Sequence, residues 1–126
     1  MGQGLKFSLA DDVRNIASMI NNKLQMGVDL DKVVFIRSYG SKTKAYARTF
    51  SLPSQWRYVL ETNTLYIVEV ISERYDSLSC QDKAYVLTHE LMHIPSNMSG
   101  GLRNHSYSGF SKLKHLLRKL EIPKEC

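Results

Sequence analysis

The sequence of 126 residues contains no apolar run long enough to span a bilayer, no internal repeat and no low-complexity tract. Its first residues also lack the long apolar core of a signal peptide. These absences argue against a membrane protein and predict a cytoplasmic one. The length predicts one domain over residues 1–126, large enough to bury a core without a disulfide or a metal.

Cysteine is scarce, and aspartate is absent from the later part of the sequence. The two cysteines, Cys80 and Cys126, could form at most one bridge. The chain is therefore not a disulfide scaffold, and a reducing interior is the simpler expectation. No aspartate follows Asp82, which removes this residue type from any metal site that the later part of the chain builds.

The charge is moderately basic. Lysine and arginine outnumber aspartate and glutamate by 17 to 12, and the net charge is +5. A basic surface can attract nucleic acid, which therefore stays open as a partner beside a protein or peptide substrate. No nucleic-acid reading motif accompanies the charge, and the pattern leaves the oligomeric state open.

The apolar pattern predicts the order helix, strand, strand, strand, helix, helix. The first helix would begin near Leu9, with Ser8 as its cap. The predicted strands cover residues 33–38, 44–50 and 65–72. Such segregated elements predict an α+β domain, in which a small sheet of three to four strands packs with an N-terminal helix and two later helices. Trp56 and the aromatic residues of the strands would lie in the core.

The two later helices are predicted at residues 80–94 and 107–120. Ser79 and Asp82 resemble a capping box at the start of the first of these helices, and Pro95 ends it. Tyr85, one turn before the histidine at position 89, is expected in the core. The helix over 80–94 carries the stretch HELMH.

HELMH places His89 and His93 four residues apart, with Glu90 beside the first of them. On a helix both imidazoles project from one face, one turn apart, so they can reach a single ion. Glu90 is then placed to hold a water at that ion without being a ligand. This is the division of roles in a zinc hydrolase, where the histidines bind and the glutamate takes a proton. The alternative is a helix with two surface histidines and no metal.

A catalytic zinc usually has three protein ligands and one open position. The compact pattern HExxHxxGxxH fails, because serine occupies positions 96 and 99. His105 is the favoured third ligand, since a Gly-Gly pair lets the chain return to the helix face. Glu121 stays a rival, because some zinc enzymes use a downstream acid. The remaining downstream candidates are His115, which is expected to face solvent, Glu125 and Cys126.

HELMHIPSNMSGGLRNH is similar to the signature of a small zincin-like family of phage and archaeal metallopeptidases, whose pattern resembles HELxHIP, a glycine-containing loop and LRxH. RSYGSKTKAYAR, LPSQW and YIVEVISERYDSL also resemble blocks of that family. The resemblance implies a minimal zincin-like domain and one zinc ion, with His89, His93 and His105 as ligands and Glu90 as the catalytic base. Asn104 stands where the LRPH form has proline, which concerns loop stiffness more than ligation.

The predicted activity is zinc-dependent hydrolysis of peptide bonds, with the attacking water activated by Glu90. By analogy with zincins, an extended peptide would pair with a sheet edge formed by residues 44–50. The oxyanion needs a donor besides the metal. The candidates for this donor or for substrate contacts are Tyr107, Arg103, Tyr46 and Arg37.

Three alternatives remain open. A weaker resemblance is to SprT-type proteases, which act on proteins crosslinked to DNA and also use HExxH with a later histidine. HSYSGF loosely resembles their His-x-x-x-Phe, although the loop is shorter and no separate DNA-binding module is present. The second alternative is another zinc hydrolase, for instance one that acts on nucleic acid. The third is an inactive metal-binding module, which Glu90 argues against because a structural site gains nothing from a base beside the ion.

Overall fold

The computed structural model describes residues 4–126, which form four strands and five helices. The strands are β1 (Lys6–Leu9), β2 (Val33–Tyr39), β3 (Ala47–Ser51) and β4 (Tyr66–Ile71). The helices are α1 (Asp11–Lys23), α2 (Ser54–Leu60), α3 (Ser72–Tyr75), α4 (Cys80–Met92) and α5 (Leu113–Leu117). Two 3-10 turns, Leu30–Lys32 and Ser108–Lys112, precede β2 and α5.

The strands form one mixed, open sheet in the order β1-β2-β4-β3. β2 and β4 run parallel, whereas the pairs β1–β2 and β3–β4 are antiparallel. Within the described residues β3 has β4 as its one neighbour, so its other edge is free. This confirms the predicted α+β class and the upper end of the predicted strand number, and it agrees with a small zincin-like domain.

One face of the sheet is covered by helices and holds the core. Phe35 of β2 and Thr49 of β3 both pair with Val68 of β4, so these three side chains share this inner face. α1 buries a stripe at helical spacing, which consists of Val13, Ala17 and Ile20. α4 contacts both α1 and β3. The helix that carries HELMH therefore lies over the end of the sheet where β3 has its free edge.

The opposite face of the sheet is more open. Phe7 and Leu9 are 55% and 72% exposed, and Glu69 is buried on this face because Arg48 pairs with it, Nε to Oε1, at 3.2 Å. Trp56 is 61% exposed, so the prediction that it lies in the core is wrong. The reason is that α2 is a surface connection between β3 and β4 that buries none of its residues.

The amino-terminal segment also differs from its prediction. Ser8 lies in β1, where it pairs with Arg37 of β2, and α1 begins at Asp11 without a side-chain cap. The prediction of Ser8 as a helix cap is therefore wrong. Four residues of strand pairing outweigh the local capping preference of one serine.

The strand predicted at 44–50 begins three residues later in the structure and ends one residue later, since β3 is Ala47–Ser51. The predicted helix at 107–120 is a 3-10 turn followed by the five-residue α5. Gly109 and two serines in that turn have low helix propensity, which explains why regular helix begins only at Leu113.

Cys80 and Cys126 form a disulfide, with their Cα atoms 5.8 Å apart. This is the one bridge that the sequence allows, although a reducing interior was expected. Among the described residues, no helix combines the length and the apolar character needed to cross a bilayer. The cytoplasmic location stays a prediction.

Candidate metal centre

The helix α4 carries the predicted ligand His89 and the predicted base Glu90, and the predicted ligand His93 caps its carboxyl end. The Ser79 hydroxyl accepts a hydrogen bond from the Asp82 N–H at 3.1 Å, which confirms the predicted capping contact. The helix buries its apolar side, which includes Ala84, Leu87 and Leu91. His89 and His93 lie one turn apart and project together at the edge of this buried side.

The chain after α4 turns back towards the two helical histidines. Gly100 has a φ of +92°, a conformation that favours glycine. The Tyr66 hydroxyl accepts a hydrogen bond from the Gly100 N–H and donates one to the Gly101 carbonyl, both at 2.8 Å. The Arg103 N–H donates to the His93 carbonyl at 2.7 Å. The loop is therefore fastened to β4 and to the end of α4.

This return brings the three predicted ligands together. The ring centroids of His89 and His93 lie 5.1 Å apart, and those of His93 and His105 lie 4.7 Å apart. One ring nitrogen from each histidine lies within 4.8 Å of the others. Within residues 4–126 these histidines are therefore a group whose side chains could share one metal ion.

The donor atoms suit a small tetrahedral cation. His93 Nδ1 lies 2.7 Å from the Arg103 carbonyl oxygen, so Nδ1 carries the proton and Nε2 is left as the ligand atom. The Nε2 atoms of His89 and His105 lie 3.1 Å apart. In a tetrahedral zinc site with Zn–N bonds of about 2.0–2.1 Å, ligand nitrogens lie about 3.3 Å from each other. The His89–His105 pair is therefore close to this spacing, and the three side chains, with donor atoms within 4.8 Å of one another, could hold one metal ion.

Phe110 packs against all three histidine rings. Its centroid lies 5.0 Å from that of His89, 4.8 Å from that of His93 and 5.2 Å from that of His105. The turn that carries it lies close to α4, because a Cβ added at Gly109 would meet the Met92 sulfur at 3.0 Å. This apolar wall restricts the rotamers of the three rings and keeps water from one side of the cluster.

Burial shifts the protonation of the centre in two ways. Burial, and then the charges of His93 and His105, lower the pKa of His89 to about 4. The ring is therefore neutral at pH 7, which is the form that binds a metal. Burial also raises the pKa of Glu90, while a hydrogen bond from Thr49 acts in the opposite direction.

Glu90 is held from the sheet side. Its side chain is 7% exposed, and the Thr49 hydroxyl donates to its Oε1 at 2.9 Å. A β-branched side chain on a paired strand has few rotamers, so this contact holds one carboxylate oxygen in a defined place. The strand β3 thus takes part in the site through a residue that orients the predicted base.

An open cleft of about 460 Å³ lies beside the cluster. It is lined by residues 47–49 of β3, by His89, Glu90 and His93, and by residues 102–105 of the loop. The rings and the carboxylate therefore face a space that a substrate could enter from the free edge of β3.

The predicted donors and substrate contacts are distributed around this cleft. Arg103 lines it, and its guanidinium lies 4.1 Å from the ring centroid of Tyr107. Tyr107 is half-exposed, and Tyr46 lines a second, adjacent cavity. Arg37 does not line the cleft. Its guanidinium binds Asp12 at 2.7 Å and Asp76 at 2.6 Å, and β2, which carries it, is separated from β3 by β4.

The rival ligands lie elsewhere. His115, Glu121 and Glu125 are exposed residues of the carboxyl-terminal segment and do not join the histidine group, and Cys126 is bonded to Cys80. Tyr85 is 38% exposed beside the site, so the prediction that it lies in the core is wrong. Its position one turn before His89 points it to the same open side of α4.

The fold and the site together define a small α+β domain whose HExxH helix and return loop form a three-histidine centre beside a buried glutamate, the type of centre found in metal-dependent hydrolases. A family model described as "Putative phage metallopeptidase" matches residues 5–122. The chain belongs to this family, which confirms the resemblance seen in the sequence and gives a metallopeptidase as its class. Comparisons with curated proteins and with solved structures found no match.

Sequence reasoning missed three residues that shape the site. Thr49 was placed on the correct strand, but no local pattern links it to Glu90. Tyr66 lies in the strand predicted at 65–72, and no sequence signal indicates its hydrogen bonds to the glycine loop. Phe110 could have been found, because the HSYSGF stretch puts an aromatic residue shortly after His105.

Proposed function

We propose that this protein is a zinc-dependent peptidase in which His89, His93 and His105 hold one zinc ion. The observation that carries the proposal is the convergence of three ring nitrogens within 4.8 Å of one another beside a buried glutamate in an open cleft. Three imidazoles suit zinc, and a site with three protein ligands leaves one position free for chemistry. The zinc would polarise the scissile carbonyl and lower the pKa of water.

Glu90 serves as the general base. It takes a proton from the attacking water and delivers it to the leaving amine. Burial raises the pKa of Glu90 above its usual value, which makes the carboxylate a stronger proton acceptor. The hydrogen bond from Thr49 keeps the carboxylate from rotating away from the cleft.

The substrate is an extended peptide that adds to the free edge of β3. This edge borders the cleft through residues 47–49, so main-chain hydrogen bonds to β3 would hold the scissile bond near the histidines. Arg103, at the other side of the cleft, and Tyr107, whose ring contacts the Arg103 guanidinium, are the candidates for stabilising the oxyanion.

The test compares Glu90→Gln with Glu121→Gln, the matched change at an exposed glutamate. Each protein is loaded with zinc, its metal content is measured by mass spectrometry, and cleavage is followed on an unfolded protein, a peptide library, single-stranded DNA and RNA. We expect wild type and Glu121→Gln to cleave the peptide substrates, and Glu90→Gln to keep one zinc per chain while its kcat falls at least 10³-fold, the usual cost of removing a general base and its water-positioning role.

Two outcomes would contradict the proposal. Cleavage of nucleic acid alone would move the protein to another class of zinc hydrolase. Stoichiometric zinc without cleavage of any substrate by the wild type would leave a metal-binding module.

A further inference from the structure

A second cavity opens beside the cleft, past His89 and Glu90. It has a volume of about 220 Å³ and is lined by Tyr46, Ala47, Tyr85, Val86, His89 and Glu90. Pockets for whole small ligands usually measure about 300–1,000 Å³, so this space suits a single large side chain. It shares Ala47, His89 and Glu90 with the main cleft, and a group bound in it would be continuous with a peptide bound in the cleft.

The walls of this cavity are apolar. Two tyrosine rings, a valine and an alanine form most of the lining, and the other two lining residues, His89 and Glu90, belong to the candidate metal centre. Tyr46 and Tyr85 are 46% and 38% exposed, so much of their ring surface is in contact with water. An apolar side chain that entered the cavity would remove this surface from water, whereas a charged one would lose its hydration, and an acidic one would also be repelled by the Glu90 carboxylate.

The position of the cavity follows from the elements that build the metal centre. Tyr85 lies four residues before His89, and Val86 lies four residues before Glu90. Tyr85 therefore shares a face of α4 with His89, and Val86 shares one with Glu90. Ala47 is the first residue of β3, and Tyr46 comes just before it. The cavity therefore lies at the Ala47 end of the free edge, next to the reacting groups.

Strand direction decides which substrate residue meets the cavity. A peptide paired antiparallel to β3, the pairing that is more stable per residue, would run from the Ser51 end towards the Ala47 end. Residues after the scissile bond would then lie on the Tyr46 side. We propose that this cavity is a specificity subsite that takes an aromatic or long aliphatic side chain from the residue following the scissile bond. The inference rests on the proposed peptidase function and extends it to a substrate preference.

The test separates binding from cleavage. Capped hexapeptides that differ at one position, which holds Phe, Leu, Ala, Asp or Lys, are titrated into zinc-loaded Glu90→Gln by calorimetry. The same peptides are given to zinc-loaded wild type, and the cleaved bond is located by mass spectrometry. Each measurement is repeated with Tyr85→Ala, with Val86→Ser as a second variant, and with Tyr58→Ala, the matched change at an 86% exposed tyrosine of α2 outside the cavity. Thermal melting verifies that every variant is folded.

We expect Phe and Leu peptides to bind at least ten-fold more tightly than Asp and Lys peptides, the factor expected for moving one large apolar side chain out of water. Cleavage should occur immediately before the varied residue. Tyr85→Ala or Val86→Ser should reduce the preference at least five-fold, while Tyr58→Ala leaves it unchanged.

Equal affinity for all five peptides, or a preference that survives both cavity variants, would overturn the subsite. So would a preference for the residue before the cleaved bond. Cleavage without preference would reject the subsite and leave the peptidase standing. Selective binding that depends on Tyr85, without cleavage by the wild type, would support the subsite and reject peptide hydrolysis.

Discussion

The metal centre has a helical part and a loop part, which are held in place by different interactions. His89, Glu90 and His93 take their positions from one regular helix that is packed on α1 and the sheet. His105 takes its position from a return loop, which depends on a few hydrogen bonds and on the packing of Phe110. The helical part is therefore as robust as the core, whereas the loop part can be disturbed while the fold is kept.

The contacts between the two parts run in both directions. The backbone of Arg103 accepts from the His93 ring and donates to the His93 carbonyl. His93 is thus a predicted ligand and also the anchor of the loop that brings His105, the predicted third ligand. Among the three histidines it connects the two parts, and its removal should have the largest effect on both.

Replacement of the individual ligands gives the largest expected effects. His105→Ala removes one ligand, which we expect to weaken zinc binding by on the order of 3 kcal/mol, or about 10²-fold. His93→Ala also removes the contact with Arg103, so its loss should be a further 10-fold or more. Competition with a chromophoric chelator measures both, and His115→Ala, at an exposed histidine, should bind zinc as the wild type does. Equal losses for the two ligands would mean that the parts are independent.

A smaller effect is expected from the attachment of the loop. Tyr66→Phe removes both hydrogen bonds to the glycine loop, at about 1 kcal/mol each, so zinc affinity should fall roughly five- to thirty-fold. Tyr75→Phe is the matched control, because Tyr75 is equally buried but its hydroxyl has no hydrogen-bond partner in the described structure. Chelator competition with thermal melts measures both variants. If the two bind zinc equally well, the Tyr66 contacts do not position the loop.

The smallest effect is a pH dependence of the helical part without metal. The pKa of His89 in the folded chain is about 4, below its ordinary value of 6.5, so its contribution to stability is present above pH 6.5 and is lost as the pH falls towards 4. We expect zinc-free wild type to lose about 1 kcal/mol more than His89→Asn between pH 7.5 and 5, after allowance for solvent screening.

Urea unfolding in the presence of a chelator measures this difference. Acidic groups that also lose stability at low pH, such as Asp12 in its pair with Arg37, contribute equally to both proteins and cancel. His115→Asn should behave as the wild type. A parallel pH dependence of wild type and His89→Asn would show that burial does not favour the neutral ring.

Local patterns predicted the helical part of the site correctly. The four-residue spacing of the histidines, the Ser79 cap and the proline after the helix are all short-range features, and α4 follows them closely. Three of the four strands were also predicted, because an apolar run such as that of β4 is a local property, whereas β1 was missed. The local signals failed at Ser8 and Trp56, whose environments depend on segments distant in the chain.

The amino-acid sequence by itself determined the class of fold, the metal-binding motif and the family, because these depend on spacing within a helix and on blocks of neighbouring residues. Only the tertiary structure decided how the site is completed. The contacts of Thr49 with Glu90 and of Tyr66 with the glycine loop join residues 41 and 34–35 positions apart. Such contacts arise from the order of strands in the sheet and from the path of the return loop, and no periodicity along the chain encodes them.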